Sequence, residues 1–214
     1  AKGKDFSSYY RGYMTGKSVQ ADEAFLGGKA TSSDGSKPVE LKYDCTGTRD
    51  FSGRISPLAD GSYKIPVEIN AQTHENDGEY TYTLTAAPDS TLTTVISRVL
   101  VIDTTNPEII FNNLENDKIV ESKVYKVKGN IEDANGISKL DYKLYKSDND
   151  NQNKVQILLD GTLANTSDWV NLTEKLSSFE IELSNLEKNK KYELKLRATD
   201  VAGNETGEDD FVRT

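Results

Sequence analysis

Thirty-five carboxylates, a single histidine (His74) and a single cysteine (Cys45) bound the chemistry open to this 214-residue chain. One histidine and one cysteine cannot assemble a Cys/His zinc site, and one cysteine cannot form an intrachain disulfide. His74 lies in the polar stretch AQTHENDGE and no serine sits in a nucleophile-elbow context, so Ser/His/Asp and Cys/His schemes find no support in spacing. Carboxylate pairs of the glycosidase kind are too plentiful to single out, and they would also need a sugar cleft. Catalysis is therefore not expected. Hard-cation chemistry remains: Ca2+ takes about six to eight oxygens at roughly 2.3–2.6 Å, which three or four carboxylates and some turn carbonyls can supply. The acidic residues set in turn-like motifs are Asp103 in VIDTTNPEI, Glu132 and Asp133 in NIEDANG, and Asp200 in ATDVAGN. No DxDxDG-type loop is present, so these residues act together only where a fold brings separate stretches to one place.

The elements that would position them are strands. Apolar residues come in short alternating groups: FEIEL sets Phe179, Ile181 and Leu183 on one face, and YELKL does the same with Tyr192, Leu194 and Leu196. Turn signals at Asp60-Gly61, Asp77-Gly78, Asn135-Gly136 and Asp160-Gly161 punctuate the runs. In the second half the pattern predicts strands near Glu108–Phe111, Lys123–Asp133, Lys139–Lys146, Val155–Leu159, Asp168–Leu172, Phe179–Leu183, Tyr192–Thr199 and Asp209–Arg213. Helix is nearly absent, with only a hint of a turn at Leu172–Ser177.

The chain is also written twice. A constant shift of 101 positions lays Lys17–Tyr43 on Lys118–Leu144, pairing Gly28 with Gly129, Gly35 with Gly136 and Leu41 with Tyr142. Further on, EYTYTLTAA matches KYELKLRAT at a shift of 112, with Tyr80 on Tyr192, Leu84 on Leu196 and Ala86 on Ala198. The second copy has gained about eleven residues, assigned to a hairpin loop in the polar stretch Lys146–Lys154. A period near 100 residues means tandem domains rather than a solenoid. The predicted architecture is all-β: two tandem immunoglobulin-like (Ig/fibronectin III-type) antiparallel β-sandwich domains, 1–104 and 105–214, joined through Asp103–Pro107. Pro107 stiffens the crossing.

The motifs VIDTTNPEI (Val101–Ile109) and LRATDVAGNET (Leu196–Thr206) make the chain resemble bacterial Ig-like (Big-type) tandem repeats of cell-surface proteins and adhesins. The second half carries the resemblance; the first matches mainly through the internal repeat, since AAPDSTL stands where ATDVAGN is expected. In ATDVAGN the Asp200 carboxylate is expected to accept turn N–H groups while Gly203 supplies a positive φ. The resemblance implies a non-catalytic extracellular spacer or stalk that holds another region of a surface protein away from the cell envelope. Its alternatives are an adhesin segment that binds a host protein or glycan, and an accessory module of a cell-envelope protease or glycosidase. Some such repeats bind calcium near domain junctions. An immunoglobulin topology would gather Asp103, Glu132, Asp133 and Asp200 at one end of the second domain as such a site; otherwise Asp103 and Asp200 simply cap turns.

Net charge is −9, with acidic and basic residues interspersed along the chain, so a solvated surface is expected and nucleic acid is not an expected partner. The expected partners are neighbouring domains of a larger surface protein, with a host protein or glycan as the alternative. No apolar run spans a bilayer, and the start carries no signal-peptide pattern, so an export signal and anchor are expected outside this stretch. The cluster FSSYYRGY (Phe6–Tyr13) reads as a first strand with inward tyrosines or as an aromatic contact surface, and Trp169 is expected to fill the sandwich core or its rim.

Overall fold

A computed structural model describes residues 10–15, 24–91, 93–173, 177–207 and 212–213. It divides into two compact units, residues 1–104 and 105–214, each an immunoglobulin-like β-sandwich with its own core. No helix occurs among the described residues, and so none is long and apolar enough to cross a membrane.

The first unit holds β1 (Tyr10–Met14), β2 (Phe25–Lys29), β3 (Leu41–Gly47), β4 (Phe51–Ile55), β5 (Ser62–Pro66), β6 (Gly78–Ala86) and β7 (Thr94–Ile102). One sheet runs β1-β7-β6-β3-β4 and the facing sheet is β2-β5. The alternation in GEYTYTLTA decides how β6 sits: Tyr80, Tyr82 and Leu84 are buried while the threonines between them face outward. Ile65, Val67, Cys45, Leu100 and Ile102 complete the core, with Phe51 edge-on to Tyr82 at 5.8 Å. The pairing of β1 with β7 is parallel, from Tyr10 opposite Arg98 to Met14 opposite Ile102.

The second unit holds β8 (Glu108–Phe111), β9 (Tyr125–Glu132), β10 (Ile137–Asp148), β11 (Val155–Ile157), β12 (Val170–Thr173), β13 (Ser178–Leu183), β14 (Lys190–Asp200) and β15 (Val212–Arg213). One sheet is β13-β9-β8; the other is β11-β10-β14-β15, with β12 also paired to β10. The inner face of β10 and β14 is built from the opposed pairs Leu140 and Ala198, Tyr142 and Leu196, and Leu144 and Leu194, all buried against Val127, Ile131 and Ile181 of the facing sheet. Cutting Leu140 or Leu196 back to alanine would cost about 2–5 kcal/mol. The polar stretch Lys146–Lys154 is the β10–β11 hairpin, which turns through Asn151 and Asn153 in left-handed conformations.

The internal repeat has a structural signature in a glycine opposite an aromatic ring. Gly28 of β2 faces Tyr63 of β5, and Gly129 of β9 faces Phe179 of β13. A Cβ on Gly129 would lie 2.3 Å from the Phe179 ring and 2.4 Å from the Ile110 carbonyl oxygen, so the ring packs where a side chain would stand. The two copies differ in their first strand. β1 joins β7, whereas β8 joins β9. In the cluster Phe6–Tyr13, Tyr10–Tyr13 lie in β1 and Phe6–Tyr9 lie outside the described residues. Of the turn expected at Leu172–Ser177, Leu172 and Thr173 end β12 instead, and 174–176 lie outside the described residues.

Candidate cation site and a charged sheet face

Asp200 is the last residue of β14 and is 1 % exposed. Its Oδ1 accepts the N–H groups of Gly203 (2.6 Å) and Asn204 (2.9 Å), and its Oδ2 accepts the Asn204 side-chain amide (2.8 Å). Gly203 has a φ of 101°, the positive value this turn requires. The β9–β10 turn is built the same way: Asp133 Oδ1 accepts the N–H groups of Asn135 (2.8 Å) and Gly136 (2.9 Å). Both turns lie at one end of the second unit, and carboxylate oxygens of Asp133 and Asp200 lie within 4.8 Å of one another. Burial, and after it the negative charge of Asp200, push the Asp133 carboxyl above its ordinary range, although the two N–H groups work in the other direction. A divalent cation between the two carboxylates would relieve that repulsion.

Glu132 does not join this pair. It sits one residue before Asp133 on an alternating strand, so it stands exposed on the outward face with Glu108 opposite it. Asp103 follows β7 as part of the first unit, where its N–H donates to the Met14 carbonyl (3.0 Å).

His74 is less isolated than its sequence context implies. Its Nδ1 lies 2.7 Å from Thr104 Oγ1, and Thr104 in turn donates its N–H (2.9 Å) and its hydroxyl (2.9 Å) to Asp77. The residue types suggest a nucleophile triad, but the hydroxyl is committed to the carboxylate and Thr104 is 7 % exposed, which leaves a substrate no access. The trio pins the chain that leaves β7 onto the turn before β6.

Strand alternation also sorts the charges. The outward positions of β13 and β9 carry Glu180 and Glu182 against Lys126 and Lys128, joined by ion pairs at 2.9–3.6 Å. On the other sheet, β10 turns out Lys139, Asp141, Lys143 and Tyr145, and β14 turns out Lys191, Glu193, Lys195, Arg197 and Thr199. This face therefore has five cations against two carboxylates, although the chain as a whole is acidic. Asp141 is 1 % exposed beneath Lys139 (2.8 Å), Arg197 (2.8 Å) and Asn171 (3.2 Å). Burial opposes its ionisation, but these three donors outweigh burial and hold the carboxyl below its ordinary range. Trp169 belongs to this face and not to the core: Arg197 lies 4.6 Å and Lys143 5.1 Å from its ring centroid. Of the two positions expected for it, core or rim, the register of β12 on β10 excludes the core. Val170 pairs with the buried Tyr142, so alternation sends Val170 and Leu172 toward the core and leaves the tryptophan outside with Asn171.

No family model and no curated protein sequence matches the chain. Among solved structures it is similar to part of a 1.5-MDa bacterial ice-binding adhesin studied for host cell surface retention, at 11 % identity and a TM-score of 0.30, covering 86 % of this chain and 62 % of the other. It is similar to a tetra-tandem repeat from the extending region of a large adhesion protein, at 15 % identity and a TM-score of 0.34, covering 86 % of this chain and 48 % of the other. It is also similar to CBD12 from CALX1.2, at 12 % identity and a TM-score of 0.27, covering 96 % of this chain and 80 % of the other. The chain thus spans less than two thirds of the two adhesin structures it matches.

Proposed function

We propose that the chain is a non-catalytic, load-bearing spacer of an extracellular surface protein. The observation that carries this reading is the parallel pairing of β1 with β7, the first and last strands of the first unit. When parallel terminal strands are pulled from their free ends, the ladder between them is loaded in shear and its bonds must fail together. An antiparallel pair pulled apart at one end yields one bond at a time. Five register pairs, from Tyr10 to Met14, share the load here. Within the second unit, Asp133 and Asp200 are the carboxylates that would hold one calcium ion.

The test is to stretch single molecules by their two ends. The first unit should resist and then release in one step of about 30 nm, since roughly 90 residues at about 3.5 Å each become extended. Gradual lengthening without such a step would contradict the spacer reading.

A further inference from the structure

We infer that the open edge of β2 in the first unit docks an extended peptide strand of a partner protein, antiparallel to β2, apolar on its core-facing side and acidic on its outward side. The second unit supplies the template. The shift of 101 places Phe25, Gly27 and Lys29 of β2 where Lys126, Lys128 and Asn130 stand in β9. There β8 pairs along the edge, with Ile110 opposite Asn130. The chain beyond β8 completes the pairing: the Asn112 N–H donates to the Lys128 carbonyl (2.8 Å), while the Asn113 side chain accepts the Lys128 N–H (2.8 Å) and donates to the Lys126 carbonyl (2.7 Å).

In the first unit the equivalent main-chain groups meet no strand. The Ala30 N–H donates to the Gly61 carbonyl and the Val67 N–H to the Ala24 carbonyl, both at 2.9 Å, so the even-numbered residues of β2 make the hydrogen-bonded pairs with β5. The N–H and C=O groups of Phe25, Gly27 and Lys29 therefore turn away from β5, and among the described residues nothing bonds to them. β1, which stands near the place of β8 in the repeat, is engaged with β7. Burial differs accordingly: Val127 and Gly129 are buried in the second unit, whereas Leu26 is half-buried and Gly28 exposed in the first. Beside this edge lies a cavity of about 760 Å³ lined by Phe25, Gly27, Gly28, Ile55, Leu58 and Tyr63 among others. A strand edge left open beside an apolar hollow is a site for strand addition: the main chain supplies the bonds and the hollow takes alternate side chains.

The same comparison sets the chemistry of the incoming strand. In β8 the core-facing side chains are Ile109 and Phe111, so an aliphatic and an aromatic residue two positions apart are called for. Charge sets the other side. Lys64 lies opposite Gly27, forms no ion pair among the described residues, and holds its ammonium 4.1 Å from the centre of the Phe25 ring. A carboxylate on the incoming strand opposite Gly27 would complement it. Pairing of two copies through β2 would instead bring their Lys64 side chains onto one surface, a like-charge arrangement.

The probe is fluorescein-labelled NPEIIFNNLE, residues 106–115, made with Asn112→Glu and separately with Asn112→Lys. Anisotropy follows its titration with the full chain to about 1 mM. The glutamate peptide should saturate and the lysine peptide should bind at least about threefold more weakly. In the template register the Ile110 N–H points at the edge and the Ile109 N–H away from it. N-methylation at Ile110 should therefore lower affinity at least about tenfold, and at Ile109 should leave it within about twofold. Amide exchange places the strand: in the free chain Gly28 should exchange slowly and Lys29 fast, and saturation should slow Lys29 at least about tenfold. The inference is overturned if neither peptide saturates, if methylation at Ile110 is harmless, or if the lysine peptide binds as tightly as the glutamate one. A Lys29 amide already slow in the free chain, or unchanged at saturation, overturns it too. So does a free chain that sediments as a dimer and is split by the peptide, since a second copy would then hold the edge.

Discussion

Replacing Asp133 with asparagine should stabilise the second unit without calcium and make it less stable than the parent chain with calcium. Asparagine keeps the oxygen that accepts the Asn135 and Gly136 N–H groups, so the turn survives the change. What disappears is a negative charge within 4.8 Å of Asp200. Two unit charges at that separation repel by about 1 kcal/mol in water and about 3.5 kcal/mol at an effective dielectric of about 20. Asp133 is part-buried, so a gain of about 1 kcal/mol toward the solvent-like end is expected in EDTA. Calcium at a hundred times its Kd adds about 2.7 kcal/mol to the parent chain and little to the variant, so the order of stability reverses. Urea unfolding followed by Trp169 emission reads this directly. The pH dependence has a definite sign: the Asp133 carboxyl is raised in the folded state, so protons bind more tightly to the native form. Without calcium, the parent chain should therefore gain on the variant as pH falls through the interval between the unfolded and folded pKa. A parent midpoint that calcium does not move would sink the cation site. A variant less stable than the parent in EDTA would sink the electrostatic argument.

Three further outcomes follow from the packing. Gly129→Ala should destabilise the second unit by about 3 kcal/mol in urea unfolding, because the Cβ meets the Ile110 backbone oxygen as well as the Phe179 ring; Gly28→Ala, which meets only the tip of Tyr63, should cost about 1 kcal/mol. Asp141→Ala should cost about 2–3 kcal/mol at pH 7, discounted because Lys139 and Arg197 still reach water. Since the Asp141 carboxyl is held low in the folded state, its contribution is present above the unfolded pKa and should fade as pH falls through the folded one, the opposite sense to Asp133. Cys45 is 2 % exposed and burial pushes its thiol up, so a thiol-labelling reagent should react about a hundredfold slower in native buffer than in urea, the fast phase tracking first-unit unfolding.

What was legible in the sequence was local. The run of β8 is read residue for residue from EIIF, and the cores of β10 and β14 follow from period-two alternation in KLDYKL and YELKL. The turn at Asp200 is read from the side-chain types of DVAGN, and its hydrogen bonds form as expected. Pairing choices were not legible. β1 and β8 are short strands at matching places, yet one joins β7 in parallel and the other joins β9, a decision made by distant partners. The sequence reads Glu132 and Asp133 into one loop, whereas Glu132 ends β9 and alternation sends the two to opposite faces. The same rule applied to outward residues would have found the cationic face: charges interspersed along the chain look balanced, but Lys139, Lys143, Lys195 and Arg197 share a side once every second residue is discarded. Trp169 obeys the same rule: its neighbour Val170 pairs with the buried Tyr142, so the tryptophan falls on the opposite face. The link between His74, Asp77 and Thr104 spans up to 30 positions and leaves no periodic trace.

The most direct test of the load-bearing reading is to stretch the chain by its ends with proline placed in β1, as Arg11→Pro and separately Gly12→Pro. In a parallel ladder alternate residues donate to the neighbouring strand, so one of the two substitutions must remove a β1–β7 hydrogen bond. The account predicts that one variant releases the first unit at clearly lower force with the same step length, while its urea midpoint moves by less than that of a core truncation such as Ile65→Ala. Unchanged release force in both variants, with the first unit still yielding in a single step, would show that β1 and β7 do not carry the load.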